Sequence, residues 1–397
     1  MKTAHDPEFN GIPKRPGAAI AILVLFYVFL FLWALAYVRI LVTIVSNPGY
    51  TQKRTGPRPS SSREKDGRSS SNLPNATIDR QGILEGRVPP PPGAERFYNK
   101  EAFVCDPAGL PIFCDYCNNY KPDRTHHCGE VNRCVRRMDH YCPWIGGVVS
   151  ETTTKFFIQM TFYGLLFSLF LFSVSVWLLV DQSKRIQVIN GNWVATAVLG
   201  GFFSLICFGM TANSIKLALN NVTTVEELGR AYFLAIHIDN PEQYGGPPPI
   251  EDQSGTTYPY YQTITYPLRH STAAPPSSAG SAGEERYDVE AHGSSKALRT
   301  FVVVQSKPSD NPWRLSPLEN IKSIMGQSYV DWLLPLKYSP CCFHDDPKSD
   351  YPLGPDVERL KREYGLKPCQ PPSDIRKRRR RQRKHSHHRE RASRTSR

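Results

Sequence analysis

Three long blocks without a charged residue dominate this chain. They cover residues 18–38, continuing past Arg39 to residue 45, and then residues 156–180 and 193–215. A helix needs about 20 apolar residues to cross the hydrocarbon core of a bilayer, and each block is long enough. The alternative is a buried helix of a soluble protein, but such helices rarely run so far without a charge. The sequence therefore predicts a polytopic α-helical membrane protein with spans at 18–45, 156–180 and 193–215.

Basic residues set the expected orientation of these spans. Lys and Arg crowd the polar segments 46–155 and 216–397, whereas the connector 181–192 holds only two, Lys184 and Arg185. Because Lys and Arg are enriched in cytosolic loops, we expect both long segments in the cytosol and the connector in the lumen. Three spans place the N-terminal segment 1–17 on the luminal side. Lys14 and Arg15, just before the first block, fit that poorly, and the alternative is a further span preceding this sequence.

The two long polar segments divide by composition. Residues 46–96, with PSSSREKDGRSSS and VPPPPG, cannot bury a core and predict a disordered cytosolic linker. Residues 97–155 are rich in Cys, His and aromatic residues and predict a small cytosolic domain, which at about 60 residues needs a cross-link or a metal for stability. In the C-terminal region, 216–397, we expect a flexible insert at 241–295, an ordered segment at 310–342 and a basic tail at 376–397. The tail is expected to meet anionic lipid headgroups or stay solvated, with no nucleic-acid partner.

Cysteine and histidine spacing near the middle of the chain is typical of a zinc site. Cys114 and Cys117 form a C-x2-C pair, with which a tight turn presents two thiolates to one tetrahedral ion. Cys134 is a third candidate ligand. The fourth is one of three neighbours that spacing alone does not distinguish, namely His126, His127 or Cys128. On the reducing side of a membrane, metal binding is favoured over disulfides, and four protein ligands make the ion structural.

The stretch VRRMDHYCPW, residues 135–144, brings together groups that support nucleophilic catalysis. Thiolate is the nucleophilic form of cysteine, as at Cys142, and an imidazole such as His140 can take its proton. A carboxylate such as Asp139 can hold that imidazole in the required tautomer. These neighbours cannot all face one way on a helix, so we expect a turn to gather them, consistent with Pro143.

In combination these motifs resemble the cysteine-rich domain of the Asp-His-His-Cys family of protein S-acyltransferases. The matching stretches are CDYC, KPDRTHHC and RCVRRMDHYCPW, with Asn47-Pro48-Gly49 after the first span and Thr-Thr-Val-Glu at 223–226 after the last. The last two resemble the family's Asp-Pro-Gly and Thr-Thr-x-Glu motifs. The chain is most similar to members with Asp-His-Tyr-Cys. The resemblance implies a membrane enzyme with this domain on the cytosolic face between spans.

The resemblance also implies two zinc ions in the family domain, each held by three Cys and one His. Carried over, the first set of ligands is complete, with Cys114, Cys117, His127 and Cys134. The positions of the second set hold Cys128, Val131, Tyr141 and Val148, so three of its four ligands are missing. We therefore expect one structural zinc, and a small apolar cluster where the second ion would lie.

The implied reaction takes a palmitoyl group from palmitoyl-CoA onto Cys142 and then to cysteines of proteins close to the membrane. By resemblance, Thr224 and Glu226 pack against the catalytic domain, and Asn311 corresponds to an Asn of a C-terminal family motif. The nearest cations for the CoA phosphates are Lys121, Arg124, Arg133, Arg136 and Arg137. Membrane lipids are the other expected partner.

A catalytically inactive zinc-containing membrane adaptor is the alternative hypothesis. It is motivated by the missing second zinc site and by Gly146, Gly147 and Thr153, which stand where the family commonly has Asn. An adaptor would keep its function in a Cys142→Ser variant, whereas an acyltransferase would lose it.

Overall fold

Three long helices contain the apolar blocks of the chain, and the polar segments between and after them form the shorter elements. The computed structural model describes residues 16–54, 80–186, 189–229, 232–239, 262–267, 298–344, 346 and 348–366. Within these ranges the helices are α1 (Pro16–Ser46), α2 (Arg80–Leu84), α3 (Thr154–Ile186), α4 (Gly191–Asn220), α5 (Thr224–Leu228), α6 (Pro317–Met325), α7 (Tyr329–Leu333) and α8 (Pro355–Glu363). By length and composition, α1, α3 and α4 are each able to cross a membrane. The chain is thus a polytopic α-helical membrane protein.

Helix α3 lies between α1 and α4 and packs against both. Small residues allow α3 and α4 to approach closely: a Cβ at Gly200 would lie 2.9 Å from the backbone nitrogen of Phe172. At its C-terminal end, α4 stops at Asn221, which adopts a left-handed conformation with φ of 49° and donates its N–H to the Ala218 carbonyl. Each of the three helices extends slightly beyond its uncharged block.

The strands form one larger sheet and three hairpins. They are β1 (Ala102–Cys105), β2 (Phe113–Cys114), β3 (Asn119–Tyr120), β4 (His126–Cys128), β5 (Arg133–Val135), β6 (His140–Cys142), β7 (Gly147–Val149), β8 (Phe233–Ile238), β9 (Thr263–Tyr266) and β10 (Arg299–Gln305). The larger sheet has the order β1-β8-β10-β9, and all three pairings are antiparallel. It joins a strand from before the cysteine-rich hairpins to three strands from after the last span.

Both faces of this sheet are buried. One face packs Phe103 and Phe301 against Phe97 and Ile83, and the other packs Ile236 and neighbouring aliphatic residues against α8. Alternate residues of each strand point to opposite faces, so a two-sided core needs apolar residues at nearly every position. The run Phe-Val-Val-Val in β10 meets that requirement.

The sheet corrects two expectations about disorder. Part of the predicted linker is ordered, because residues 80–97 contain α2 and contribute buried side chains to the sheet's core. The predicted flexible insert contains β9, which pairs with β10. Residues 55–79 of the predicted linker, residues 241–261 and 268–295 of the predicted insert, the first 15 residues and the basic tail lie outside the described residues.

The predicted ordered segment returns to the spans and to the sheet. Helix α6 packs against α4, and its Asn320 donates to the carbonyl of Leu219 near the end of α4. Helix α7 and a turn at Pro340–Cys342 follow, and α8 then covers one face of the sheet. This path brings the C-terminal region beside the hairpins that carry the cysteine motifs.

Candidate active site and metal centre

Four side chains of the first two hairpins converge on one point. Cys114, Cys117, His127 and Cys134 have ligand atoms that all lie within 4.8 Å of one another. The Nδ1 atom of His127 is 3.6 Å, 3.4 Å and 3.9 Å from the three Sγ atoms in that order. A tetrahedral zinc with Zn–S near 2.3 Å and Zn–N near 2.0 Å separates its ligands by about 3.6 Å. The four residues therefore fit a zinc ion, and this cluster could hold one.

Strand alternation selects the histidine that spacing left open. In β4, His127 points to the side opposite that of its neighbours His126 and Cys128, and it pairs with Cys134 across the hairpin. The ring of Tyr116 stacks on His127 with centroids 4.8 Å apart. His127 is therefore oriented toward the thiols by the register of β4 and β5.

An apolar cluster occupies the other side of the same hairpin. Cys128, Val135 and Val148 are buried there, and Val131 and Tyr141 pack against them. Tyr141 and Val148 are directly paired between β6 and β7. Three of the four positions of the family's second zinc set are thus filled by side chains that pack rather than bind metal, as the sequence predicted.

The catalytic candidates lie on a strand, not on the turn that the sequence led us to expect. His140 and Cys142 are two residues apart in β6, so both side chains project from the same face. Tyr141 projects from the opposite face into the apolar cluster. The turn at Pro143–Ile145 begins only after Cys142.

Asp139 orients the imidazole. Its Oδ2 is 2.7 Å from Nδ1 of His140, and its Oδ1 accepts a hydrogen bond from the backbone N–H of Thr224 at the start of α5. His140 also interacts with the thiol of Cys142, and each of the two groups shifts the pKa of the other. The ring of His140 also meets the ring of Phe157 edge to face at 5.4 Å. We call residues 97–155 the cysteine-rich module. Residues from this module and from the segment after the last span thus hold the imidazole of His140 in place.

The charges of this trio favour an ion pair. Burial opposes protonation of His140, but its hydrogen bonds to Asp139 and Cys142 outweigh burial and raise its pKa to about 9. Burial alone would raise the pKa of the Cys142 thiol, yet the hydrogen bond to His140 brings that pKa below its ordinary value. The two pKa shifts are opposite in sign but have the same consequence, since each stabilises a thiolate beside an imidazolium.

Apolar side chains of two spans surround Cys142. The residue is 2% exposed and packs in a cluster with Ala36 and Ile40 of α1 and Phe156 and Met160 of α3. Close packing here also depends on Gly147, because a Cβ there would lie 2.7 Å from Ile44 of α1. The sulfur therefore lies where the cysteine-rich module meets the ends of the spans.

A buried ion pair joins the module to the segment after α4. Arg124 donates from Nε and Nη2 to the two carboxylate oxygens of Glu226, at 2.7 Å and 2.6 Å. Burial would raise the pKa of Glu226, but the charge and hydrogen bonds of Arg124 bring it below its ordinary value. Glu226 also caps α5 by accepting from the N–H of Thr223. This pair holds α5, and with it Thr224, against the module.

Two of the five cations predicted to bind phosphate are buried in the structure. Arg124 is 4% exposed and its guanidinium is occupied by Glu226 and Asn221, while Arg137 is 2% exposed and donates to Asn221. Neither can reach a solvent-borne phosphate without breaking the core. The other three, Lys121, Arg133 and Arg136, are partly exposed. Sequence alone does not distinguish a buried Arg from an exposed one.

Asn221 is the residue that sequence reasoning missed. Its Oδ1 accepts from both Arg124 and Arg137, and its Nδ2 donates to the carbonyl of Trp313. The predicted Asn311 lies beside it, donating to the carbonyls of Asn220 and Asn221. An Asn directly after a long apolar helix is a common left-handed helix end, and that was the available signal.

Known proteins resemble this chain along most of its length. Residues 110–230 match the family model described as DHHC palmitoyltransferase. Palmitoyltransferase pfa5 of Aspergillus fumigatus is 37% identical over 390 residues, which cover 91% of this chain and 83% of that protein. Palmitoyltransferase pfa5 of Emericella nidulans is 37% identical over 396 residues, covering 91% and 79%. Palmitoyltransferase PFA5 of Saccharomyces cerevisiae is 27% identical over 219 residues, covering 53% and 52%.

Proposed function

The chain belongs to the DHHC palmitoyltransferase family, and we propose that Cys142 carries the acyl group in its reaction. The activity is that of a protein S-palmitoyltransferase, which moves an acyl group onto cysteine thiols of proteins. The observation that carries the assignment to Cys142 is that this thiol and the imidazole held by Asp139 project from the same face of β6, beside the apolar ends of α1 and α3. In this proposal the chain uses an Asp-His-Tyr-Cys form of the motif.

In the first half-reaction, the Cys142 thiolate attacks the carbonyl carbon of palmitoyl-CoA. A carbon–sulfur bond forms to Cys142 and the bond to the CoA sulfur breaks. The departing CoA thiolate takes the proton that His140 holds as an imidazolium. Because Nδ1 of His140 is engaged by Asp139, Nε2 is the nitrogen that exchanges this proton.

In the second half-reaction, the sulfur of a substrate cysteine attacks the acyl-Cys142 thioester. Its proton passes to His140, the acyl group moves to the substrate sulfur, and Cys142 leaves as the thiolate that began the cycle. Each step exchanges one thioester for another, so neither step needs a further source of free energy. Asp139 keeps the imidazole in the same orientation in both steps.

The surroundings of Cys142 support a long acyl chain as the transferred group. Each methylene kept out of water contributes about 0.8 kcal/mol, and the cluster around Cys142 offers aliphatic and aromatic side chains from two spans. Substrate cysteines close to the membrane surface follow from the same location. We propose Lys121, Arg133 and Arg136 as partners for the CoA phosphates, with the module on the cytosolic face.

The four residues Cys114, Cys117, His127 and Cys134 would hold one zinc ion. Bound there, the ion supplies folding energy to the hairpins and offers no open position for chemistry. Residues 136–139 connect β5 to β6, so the zinc-linked hairpin lies four residues before the strand that carries His140 and Cys142. Zinc therefore supports the site from a distance.

The test is acyl transfer by the purified full chain in lipid, from labelled palmitoyl-CoA to a protein with a membrane-proximal cysteine. We expect transfer by the wild type, none by Cys142→Ser, and unchanged transfer by the control Cys342→Ser. The thiol of Cys342 donates to the carbonyl of Glu151, and a serine hydroxyl can make the same hydrogen bond. A folded, zinc-loaded wild type without transfer would instead support the adaptor hypothesis.

A further inference from the structure

A short C-terminal segment, residues 329–338, lies along the cytosolic ends of two spans. It comprises α7 and the irregular backbone that follows it. Polar side chains of α1 and α3 donate to five of its carbonyls: Gln159 to Asp331 (3.3 Å) and Trp332 (2.9 Å), Tyr163 to Leu333, Arg39 to Leu336 (3.3 Å) and Lys155 to Lys337 (2.9 Å). The segment is therefore bound to the spans through its backbone.

The positions of these donors give the depth of the segment. Lys155, Gln159 and Tyr163 lie on successive turns of α3, about 6 Å apart along the helix axis. The hydrocarbon core is about 30 Å thick, or about 20 helical residues. Counted back from Asp181 at the far end of the apolar block, it begins near Thr161. The carbonyl bound by Tyr163 thus lies at the boundary between headgroups and hydrocarbon.

Irregular backbone at that depth requires partners for its carbonyls. An unsatisfied carbonyl in hydrocarbon costs several kcal/mol, so non-helical backbone is tolerated there only where protein supplies hydrogen bonds. Gln159, Tyr163 and Arg39 are polar residues of otherwise apolar helices, and this segment gives each of them a function. A segment embedded in the membrane needs these protein donors for its carbonyls, whereas the carbonyls of a loop in water can accept hydrogen bonds from the solvent.

The outer face of the segment is apolar. Tyr329, Val330, Leu333 and Leu336 are 80%, 58%, 56% and 61% exposed, whereas Trp332 turns inward against α6. Three of the four lie at i, i+1 and i+4 of α7, on one side of the helix. This face continues the exposed apolar surface of the spans, which lipid covers.

We propose that residues 329–336 lie in the cytosolic leaflet, with Tyr329, Val330, Leu333 and Leu336 in contact with phospholipid acyl chains. The segment is then a fourth membrane-contacting element that lies in the interface and does not cross the bilayer. Tyr338 at its end packs against the cluster around Cys142, so the lipid contact adjoins the reactive sulfur. The inference does not depend on Cys142 being the nucleophile.

Photocrosslinking tests this proposal. The full chain is reconstituted in phosphatidylcholine nanodiscs whose lipid carries a labelled acyl chain, with p-benzoylphenylalanine in place of Leu333. The same residue replaces Leu205, which is 75% exposed on α4, as the lipid-facing reference. Replacement of Leu298, 48% exposed beside β10, is the matched control away from the spans. Retained zinc in each variant shows that the module has folded.

We expect labelled lipid adducts at position 333 in a yield comparable to that at 205, and none at 298. Adducts at 205 with none at 333 would overturn the proposal. So would equal adducts at 333 and 298, because labelling would then be independent of depth. The result is independent of transfer activity, which separates failure of this inference from failure of the proposed function.

Discussion

At the scale of single residues, the reactivity of Cys142 depends on His140. Asp139 holds the imidazole of His140, whose pKa is raised to about 9, so this imidazole is protonated near neutral pH. The thiol beside it loses its proton below its ordinary pKa. The two groups titrate as a pair, and removal of one partner shifts the other.

The ionisation of Cys142 is measurable by its alkylation rate with iodoacetamide as a function of pH. In the wild type we expect the rate to rise at a pH below the ordinary thiol pKa. In His140→Ala the lowering of the thiol pKa by the imidazole is lost while burial still raises that pKa, so the rise moves to higher pH. The control His126→Ala, also in the module, should leave the profile unchanged. Identical profiles for His140→Ala and wild type would contradict the ion pair.

The same substitution should slow acyl transfer. General acid–base catalysis by one side chain contributes about 10²–10⁴-fold to a rate, so we expect His140→Ala to slow the formation of acyl-Cys142 by at least about 100-fold. A rapid-quench assay with labelled palmitoyl-CoA measures this rate. A fall of less than about tenfold would assign the proton transfer to another group.

The residues that sequence identified are those with short-range signatures. Asp139, His140 and Cys142 are nearly contiguous, and the zinc ligands follow fixed spacings. The role of Asn221 depends on partners 84 and 97 residues away in the chain. Burial of Arg124 depends on the same distant contacts, which local sequence does not reveal.

At the scale of elements, one hairpin has two chemically different sides. Cys134 is expected to bind zinc, whereas Cys128 lies in the apolar cluster and donates to Glu130 at 3.0 Å. We predict one zinc per chain in the wild type and in Cys128→Ser, and loss of zinc in Cys134→Ser. Metal analysis of the purified variants by mass spectrometry measures this. Two ions in the wild type would contradict the apolar replacement of the second site.

The buried ion pair between Arg124 and Glu226 holds α5 against the module. The exposed Glu227, next to Glu226 in α5, provides the matched control. Breaking a buried pair costs about 3–5 kcal/mol, and Glu226→Gln should fall near the lower limit because the amide keeps a hydrogen bond to Arg124. Glu227 pairs with Lys216 on the surface, so Glu227→Gln should change stability by less than about 0.5 kcal/mol. Thermal unfolding in detergent compares the two. Equal effects would show that Arg124 and Glu226 do not join α5 to the module.

Elements differ in how far sequence predicts them. The three spanning helices follow from local composition, because about 20 apolar residues leave few alternatives. The larger sheet does not, since β8, β9 and β10 are short strands separated by Pro-rich and Ser-rich sequence, and β1 precedes the hairpins. Pairing over such separations is a tertiary property.

At the scale of the whole molecule, Cys142 lies where three parts of the chain meet. The hairpins supply the sulfur and the imidazole, α1 and α3 supply the apolar surroundings, and α5 supplies the N–H that holds Asp139. The larger sheet packs behind the module and joins it to the C-terminal region. The site therefore depends on the assembled chain, and the contiguous motif supplies only part of it.

The most direct measurement is the location of the acyl group after a single turnover. The full chain is incubated with palmitoyl-CoA alone, digested, and its peptides are analysed by mass spectrometry with and without hydroxylamine. We predict a palmitoyl thioester on the peptide containing Cys142, removed by hydroxylamine and absent from Cys142→Ser. A thioester on a different cysteine of the wild type, with Cys142 unmodified, would contradict the assignment.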